Sequence, residues 1–277
     1  MKIINSKSLA KSSAAIALVA LGGSAFAGST WNGSSFNCGN DTNFGNTWSV
    51  KSGPGCTGET VVAATAWSSS ISRNNTLFDN AQLKIWDGGF GVNNRDEGLN
   101  AASDSHTIDN SSAVDLVALD FGSSKIQLTS ATVGWISNTS GHSGSDISVF
   151  AWTGIGAPVT TSLANAISGK AKSDLVATNS GWQLVGNYAD LVLNTSKSIN
   201  TGVSPLSSSW WLLSAYSQSY GGTSLSGTND YFKLSAITGT TVTTPPGNQV
   251  PEPGSLALLG LGLVGMVASR RRSQKVA

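Results

Sequence analysis

Apolar and β-branched residues come in short bursts separated by turn-forming residues along most of this chain. The bursts are Thr60 to Trp67, Leu83 to Trp86, Asp115 to Phe121, Ile126 to Ile136, Ile147 to Trp152, Trp182 to Tyr188, Trp210 to Tyr216 and Tyr231 to Ile237. Segments of this length, bounded by Gly, Asn, Ser and Asp, are the pattern of antiparallel strands. In Ile126 to Ile136 the apolar parity changes midway: Ile126 and Leu128 lie on one face, Val133 and Trp135 on the other. Such a strand holds a β-bulge or is buried on both faces. Thr161 to Lys172 places Leu163, Ala166 and Ile167 at helical spacing but meets Ser168-Gly169 at once, so helix and loop both stay open there. The eight segments predict an all-β fold, an antiparallel β-sandwich or jelly roll, with no internal repeat.

The two ends have a different character. Lys2, Lys7 and Lys11 precede an apolar run from Ala14 to Leu21 and the small-residue box Ala25-Phe26-Ala27. This predicts a signal peptide over residues 1–27, cut by signal peptidase before Gly28. At the other end, Thr, Gly and Pro dominate from Gly239 to Gln249 and predict a semi-extended linker over 239–249 after a body spanning 28–238. Residues 250–277 then combine Val250-Pro251-Glu252-Pro253, an apolar segment from Leu256 to Ala268 and the basic cluster Arg270-Arg271-Arg272. The fifteen residues from Ser255 to Ser269 fall short of the roughly 20 that span a ~30 Å hydrocarbon core. Bilayer thinning and snorkelling of the arginines close the gap, which predicts one short transmembrane helix with its basic end cytoplasmic and the body periplasmic. Gly260 to Gly265 reads G-x-G-x-x-G, but without a βαβ context or a following acidic residue it suits close helix packing in a membrane, not a dinucleotide.

The net charge of +1 hides an acidic body. Seven of the 16 basic residues sit in the terminal segments, leaving nine against fourteen acidic residues between Gly28 and Val250, a net of −5. Without a basic stripe, nucleic acid is excluded as a partner. The two cysteines, Cys38 and Cys56, lie in a Gly-rich arm within 28–80 and are expected to pair once the chain is past the inner membrane, contributing about 3 kcal/mol. Two thiols without a nearby histidine make no zinc site.

Candidate chemistry is sparse. His106, with Asp104 and Asp109 near it in sequence, is read as the organiser of a turn, with Asp109-Asn110 bonding backbone groups, in preference to part of a catalytic triad. His142 lies in Gly141-His142-Ser143-Gly144-Ser145, where a strand follows in place of the helix that a hydrolase elbow requires. Asp87, Asp96, Glu97, Asp104, Asp109 and Asp146 carry oxygens suited to calcium, yet none follows an EF-hand loop, so no metal, cofactor or catalytic residue is assigned. The nine tryptophans admit a carbohydrate reading, since indoles stack on sugar rings. Trp31, Trp48 and Trp67 fall in loop-like or edge contexts, and Trp135, Trp152, Trp182, Trp210 and Trp211 in strands, where core packing is the simpler role.

The C-terminal arrangement of Val250-Pro251-Glu252-Pro253, apolar run and Arg270-Arg271-Arg272 resembles the PEP-CTERM sorting signal. That resemblance implies an exosortase as processing partner, an intermediate anchored in the inner membrane, and delivery to the outer surface or extracellular matrix of a Gram-negative bacterium. From Trp86 to the C-terminus the chain also resembles a group of exosortase-dependent surface proteins: in Gly89-Phe90-Gly91-Val92, in His106-Thr107-Ile108-Asp109-Asn110, in Gly134-Trp135, in Ser145 to Val149 and in the strands around Trp182, Trp210 and Tyr231. The group implies a route and a β-rich body and carries no activity to transfer. The expected protein is therefore an exported structural or matrix-associated component, not an enzyme. A carbohydrate-binding module of the exopolysaccharide matrix is the alternative, and a glycan-directed hydrolase the third reading.

Overall fold

The computed structural model describes residues 28–69, 76–99, 106–139, 144–154, 162–221, 225 and 229–242. The expected signal peptide over 1–27, most of the expected linker, the segment 250–277 with its expected membrane helix, Asp104 and His142 lie outside the described residues. Among the described residues no helix is long and apolar enough to cross a membrane.

The chain is all-β. Among the described residues, fourteen strands join into one antiparallel sheet that turns over into two layers. The first layer is ordered β11 (Trp182–Tyr188), β10 (Ile147–Trp152), β13 (Trp210–Ala215), β8 (Asp115–Asp120) and β4 (Thr60–Ser68), with β3 (Trp48–Lys51) and then β2 (Cys38–Gly39) continuing from β4. The second contains β6 (Gly89–Asn93), β14 (Tyr231–Thr241), β9 (Ile126–Ile136) and β12 (Ser196–Ser198), while β1 (Gly28–Asn32) and β7 (Ile108–Asp109) also pair with β14. The layers share β5 (Asp79–Trp86), which pairs with β4 through Ala81 and with β6 from Gln82 onward.

Val62, Ala64, Val117, Leu119, Val149, Trp211 and Leu213 of the first layer pack against Leu128, Val133, Phe232, Leu234 and Ile237 of the second. The outer side of the first layer carries a separate apolar cluster, in which Trp67, Leu116, Phe150, Trp152, Trp210 and Leu212 are capped by the short helix α1 (Leu163–Ile167), Leu175 and Tyr220. Strands β8, β10 and β13 therefore have apolar packing on both faces. This is why Leu116-Val117-Ala118-Leu119 and Trp210-Trp211-Leu212-Leu213 read as continuous apolar runs without alternation. In α1, the Ser162 hydroxyl accepts from the Asn165 N–H, and Leu163, Ala166 and Ile167 are the buried positions, as their spacing predicts. The parity change in β9 is matched by register shifts where β9 pairs with β14.

Three expectations change. Gly239, Thr240 and Thr241, assigned by composition to the linker, continue β14, because β9 and β1 supply partners on either side. The N-terminal segment is not a loose arm: β1 joins the sheet, Trp31 packs 5.0 Å from Phe121, and Phe36 packs 4.8 Å from Phe90. Trp31, Trp48 and Trp67 accordingly lie in strands, with Trp31 and Trp67 in the core. Cys38 and Cys56 are disulfide-bonded with a Cα separation of 5.4 Å, linking β2 to the turn after β3.

Candidate functional site

The segments Trp86 to Glu97, His106 to Asn110, Asp115 and Gly134-Trp135, far apart in sequence, meet where the sheet turns from one layer to the other. The β5–β6 hairpin begins the junction. Gly88 supplies the turn at φ +94°, a conformation disfavoured for residues with a Cβ. On β6, a Cβ at Gly91 would overlap the His106 carbonyl, so glycine is what lets the 106–110 segment lie directly on the hairpin.

One half of the junction is aromatic and cationic. The His106 ring stacks on Trp86 with centroids 4.1 Å apart. Lys84 Nζ lies 4.3 Å from the Trp86 ring centroid, and Lys233 Nζ lies 4.8 Å from that of Trp135, its cross-strand partner, and 5.5 Å from that of Trp86. A cation over an indole face is attracted by the ring quadrupole, more strongly as water is removed, and Lys233 is buried. Lys84 also pairs with Asp41 at 3.4 Å.

The other half is acidic. Glu97 is folded back by an Asn94-centred turn: Asn94 Oδ1 accepts from the Asp96 and Glu97 N–H groups, and the Asn94 N–H donates to Glu97 Oε2 at 2.9 Å. Asp109 accepts from the Ser111 N–H at 3.1 Å and the Thr107 hydroxyl at 3.3 Å. Asp115, at the head of β8 and 0% exposed, lies opposite Ser68 of β4. Burial, reinforced by the Asp109 charge, raises Glu97 to about 8, and burial raises Asp109 to about 7. Asp115 is raised well above the usual carboxylate range, first by burial and then by the charges of Asp109 and Glu97. The Ser68 hydroxyl and Asp109 N–H face it and offset part of this, but neither Asp115 oxygen accepts a hydrogen bond of ordinary geometry.

Asn110 points into a third, fully bonded network. Its amide donates to the Tyr216 carbonyl at 2.9 Å and to the Asp230 carboxylate, and its Oδ1 accepts from the Asp230 N–H at 3.0 Å. Asp230 in turn accepts from the Asp146 N–H, and Asp146 from the Asp190 N–H, each at 2.7 Å. Burial raises Asp230 to about 7 despite these donors. The His106 to Asn110 segment thus serves three directions: His106 the aromatic stack, Asp109 the acidic cluster and Asn110 the β13–β14 connection.

Of the acidic residues singled out in sequence, Glu97 and Asp109 come together, Asp146 joins the separate Asp230 network, and Asp87 and Asp96 contribute no ligand-like cluster. The sequence pattern does not single out Asp115, Asp230 or Lys233, all of which are buried. The available signal was a charged residue within or beside a strand buried on both faces, as in Asp115-Leu116-Val117-Ala118-Leu119. Among the described residues, no three His, Cys, Asp or Glu side chains converge closely enough to hold a metal ion between them.

Outside the junction, a shallow cleft of about 390 Å³ is lined by Trp152, Thr153, Gly154, Asn179, Ser180 and Trp182. Both indoles are turned into the second apolar cluster, where they pack edge-to-face with centroids 5.0 Å apart. Gly28, the expected first residue after signal cleavage, opens β1 opposite Thr240.

Residues 249–272 match the family model of the PEP-CTERM protein-sorting motif, a span that includes Val250 to Pro253 and Arg270 to Arg272. No curated protein and no solved structure matches the chain.

Proposed function

We propose, starting from the PEP-CTERM motif at residues 249–272, that the body is a structural component of the bacterial outer surface or extracellular matrix. The motif marks an exported protein processed by an exosortase, and it is the observation that carries the reading. The route runs from signal peptidase cleavage before Gly28, through an inner-membrane intermediate held by the C-terminal helix, to release of the body at the surface. The body is suited to that end. It is a two-layered, disulfide-bonded β fold whose last described strand finishes at Thr241, ahead of the sorting segment.

The disposition of the indoles favours a structural role over a lectin. Trp31, Trp67, Trp152, Trp182, Trp210 and Trp211 are each 9% exposed or less, so their faces are committed to packing, whereas sugar stacking needs an open face. The cleft beside Trp152 and Trp182 is where a glycan would bind if the carbohydrate-binding reading were right, with Thr153, Asn179 and Ser180 to meet its hydroxyls. Enzymatic activity is not part of the proposal: His106 is engaged with Trp86, and His106→Ala is expected to remove no turnover.

Sorting is tested by replacing Pro251-Glu252-Pro253 with alanines while keeping the helix, and separately by deleting residues 250–277. Cell fractionation should find the deletion variant folded and free in the periplasm or medium, and the alanine variant retained in the inner membrane. An alanine variant that reaches the surface normally would refute exosortase sorting. Saturable quenching of tryptophan fluorescence by a matrix oligosaccharide would replace the structural reading with the lectin one.

A further inference from the structure

We infer that the loop 201–205, with Val203 at its tip, is where the body rests on the phospholipid surface of the inner membrane during export, an inference that rests on the route proposed above. Both ends of the described body leave from one place. Gly28 pairs with Thr240, Thr241 pairs with Ile126, and the Val242 N–H donates to the Lys125 carbonyl at 2.8 Å. The first layer has an end here too: Trp210 pairs with Asp120, the Phe121 N–H donates to the Ser209 carbonyl, and Ser208 bridges to Ile126. Residues 1–27 and 250–277, the two segments expected to enter the membrane, therefore join the body at the same end. Twelve residues, 243–254, lie between Val242 and Ser255. A chain of that length spans about 20 Å as a flexible coil and about 37 Å drawn out as polyproline II. The opposite end of the body lies roughly 37 Å farther along the eleven residues of β14, so it meets the bilayer only with that tether stretched to its limit.

The near end is built to present an apolar tip. Val203 is 107% exposed, yet its loop is pinned at the base by Asn200, which is 6% exposed and held at φ +56°. The Asn200 amide donates to the Leu206 carbonyl at 2.8 Å and the Leu128 carbonyl at 3.1 Å. Its Oδ1 accepts from the Leu206 N–H, and its own N–H donates to the Tyr188 hydroxyl, each at 2.8 Å. Val203 adds nothing to the core, so this bracing serves to hold it outward. Val61, two residues beyond the Ala63 that pairs with Asp120, and Val242 are exposed at the same end. Apolar side chains held outward in this way lodge at the boundary between headgroups and acyl chains. The charges agree with that placement. Lys51 and Lys125 balance Glu59 and Asp120 at this end, whereas Asp109, Asp115, Asp146 and Asp230 lie at the opposite one, a poor match for anionic headgroups.

The test uses the full chain reconstituted into vesicles of phosphatidylethanolamine and phosphatidylglycerol that carry nitroxides on their headgroups. Because Cys38 and Cys56 are bonded to each other, Val203→Cys, Ser123→Cys or Asn138→Cys adds a single thiol for a bimane label. Ser123 is exposed in the turn before Lys125, and Asn138 is exposed beyond the far end of β9. The nitroxides should remove most of the emission at positions 203 and 123 and little of that at position 138. Val203→Asp, a change at a fully exposed side chain, should restore most of the emission of the Ser123→Cys label. Equal quenching at positions 123 and 138, stronger quenching at 138, or a label at 123 indifferent to Val203→Asp would overturn the inference. An emission shift at position 203 without nitroxide quenching would also overturn it, placing a second copy of the chain on the loop. Failure of the chain to float with the vesicles would refute the anchored intermediate and this inference together, whereas flotation with the wrong quenching pattern would refute the inference alone.

Discussion

Replacing Asn110 with alanine should destabilise the protein by about 3–5 kcal/mol, and the size follows from what the substitution strands. Three interactions disappear together: the donations to the Tyr216 carbonyl and the Asp230 carboxylate, and the acceptance from the Asp230 N–H. Each buried group left without a partner costs about 1–3 kcal/mol, and the Asp146 N–H still satisfies one Asp230 oxygen, which limits the total. Urea unfolding of the full chain, followed by tryptophan fluorescence, should show a lower midpoint at unchanged m-value. A loss below about 1 kcal/mol would refute the reasoning, because it would mean that water or a neighbouring group replaces the amide at this site. Asn110→Asp sharpens the test. It keeps an acceptor for the Asp230 N–H but sets a second carboxylate against the first, so its penalty should be larger at pH 8 than at pH 5.

Further outcomes are specific to other features. Cys38→Ser with Cys56→Ser should cost about 3 kcal/mol by removing a cross-link over a sequence separation of 18, checked by the same unfolding curves. Asp230 has a folded value of about 7 against 3.8 unfolded, so its contribution to stability is full below about pH 4 and is lost as pH rises through 7. Asp230→Asn should therefore flatten the fall of Tm between pH 5 and pH 8, and an unchanged slope would assign that fall to other groups. Gly91→Ala should cost about 1–3 kcal/mol by driving a methyl into the His106 carbonyl, with thermal unfolding as the measure.

The strands with strong side-chain patterns were legible in the sequence. Ile126 to Ile136, Ile147 to Trp152 and Trp182 to Tyr188 have in the fold the bounds that their patterns predict. Strands β1, β2, β7 and β12 carry almost no apolar rhythm, and in β3 and β6 the alternation of Trp48 with Val50 and of Phe90 with Val92 is too short to mark a strand. What places them is backbone pairing with neighbours from elsewhere in the chain, a tertiary effect that a local pattern does not carry. The same explanation covers Gly239 to Thr241, whose composition suits a linker but whose N–H and C=O groups find partners on β1 and β9. At the junction, His106 and Asp109-Asn110 stood out as a motif, whereas the burial of Asp115 depends on β8 being covered on both sides, which needs the second apolar cluster to be known first.

Strand β14 takes on a mechanical meaning in a protein handled through its C-terminal segment. Any pull from that segment enters at Val242, itself tied by its N–H to the Lys125 carbonyl, and passes directly along β14. This strand has β9 along one flank and β1, β6 and β7 along the other, all antiparallel. Ladder hydrogen bonds run perpendicular to such a pull. They are loaded together in shear and are not opened one after another as at a peeled edge. The force the body withstands is then set by the length of the two ladders on β14, and weakening β1 alone, at Ser29 to Trp31, should lower that force while leaving the apolar core between the layers largely intact.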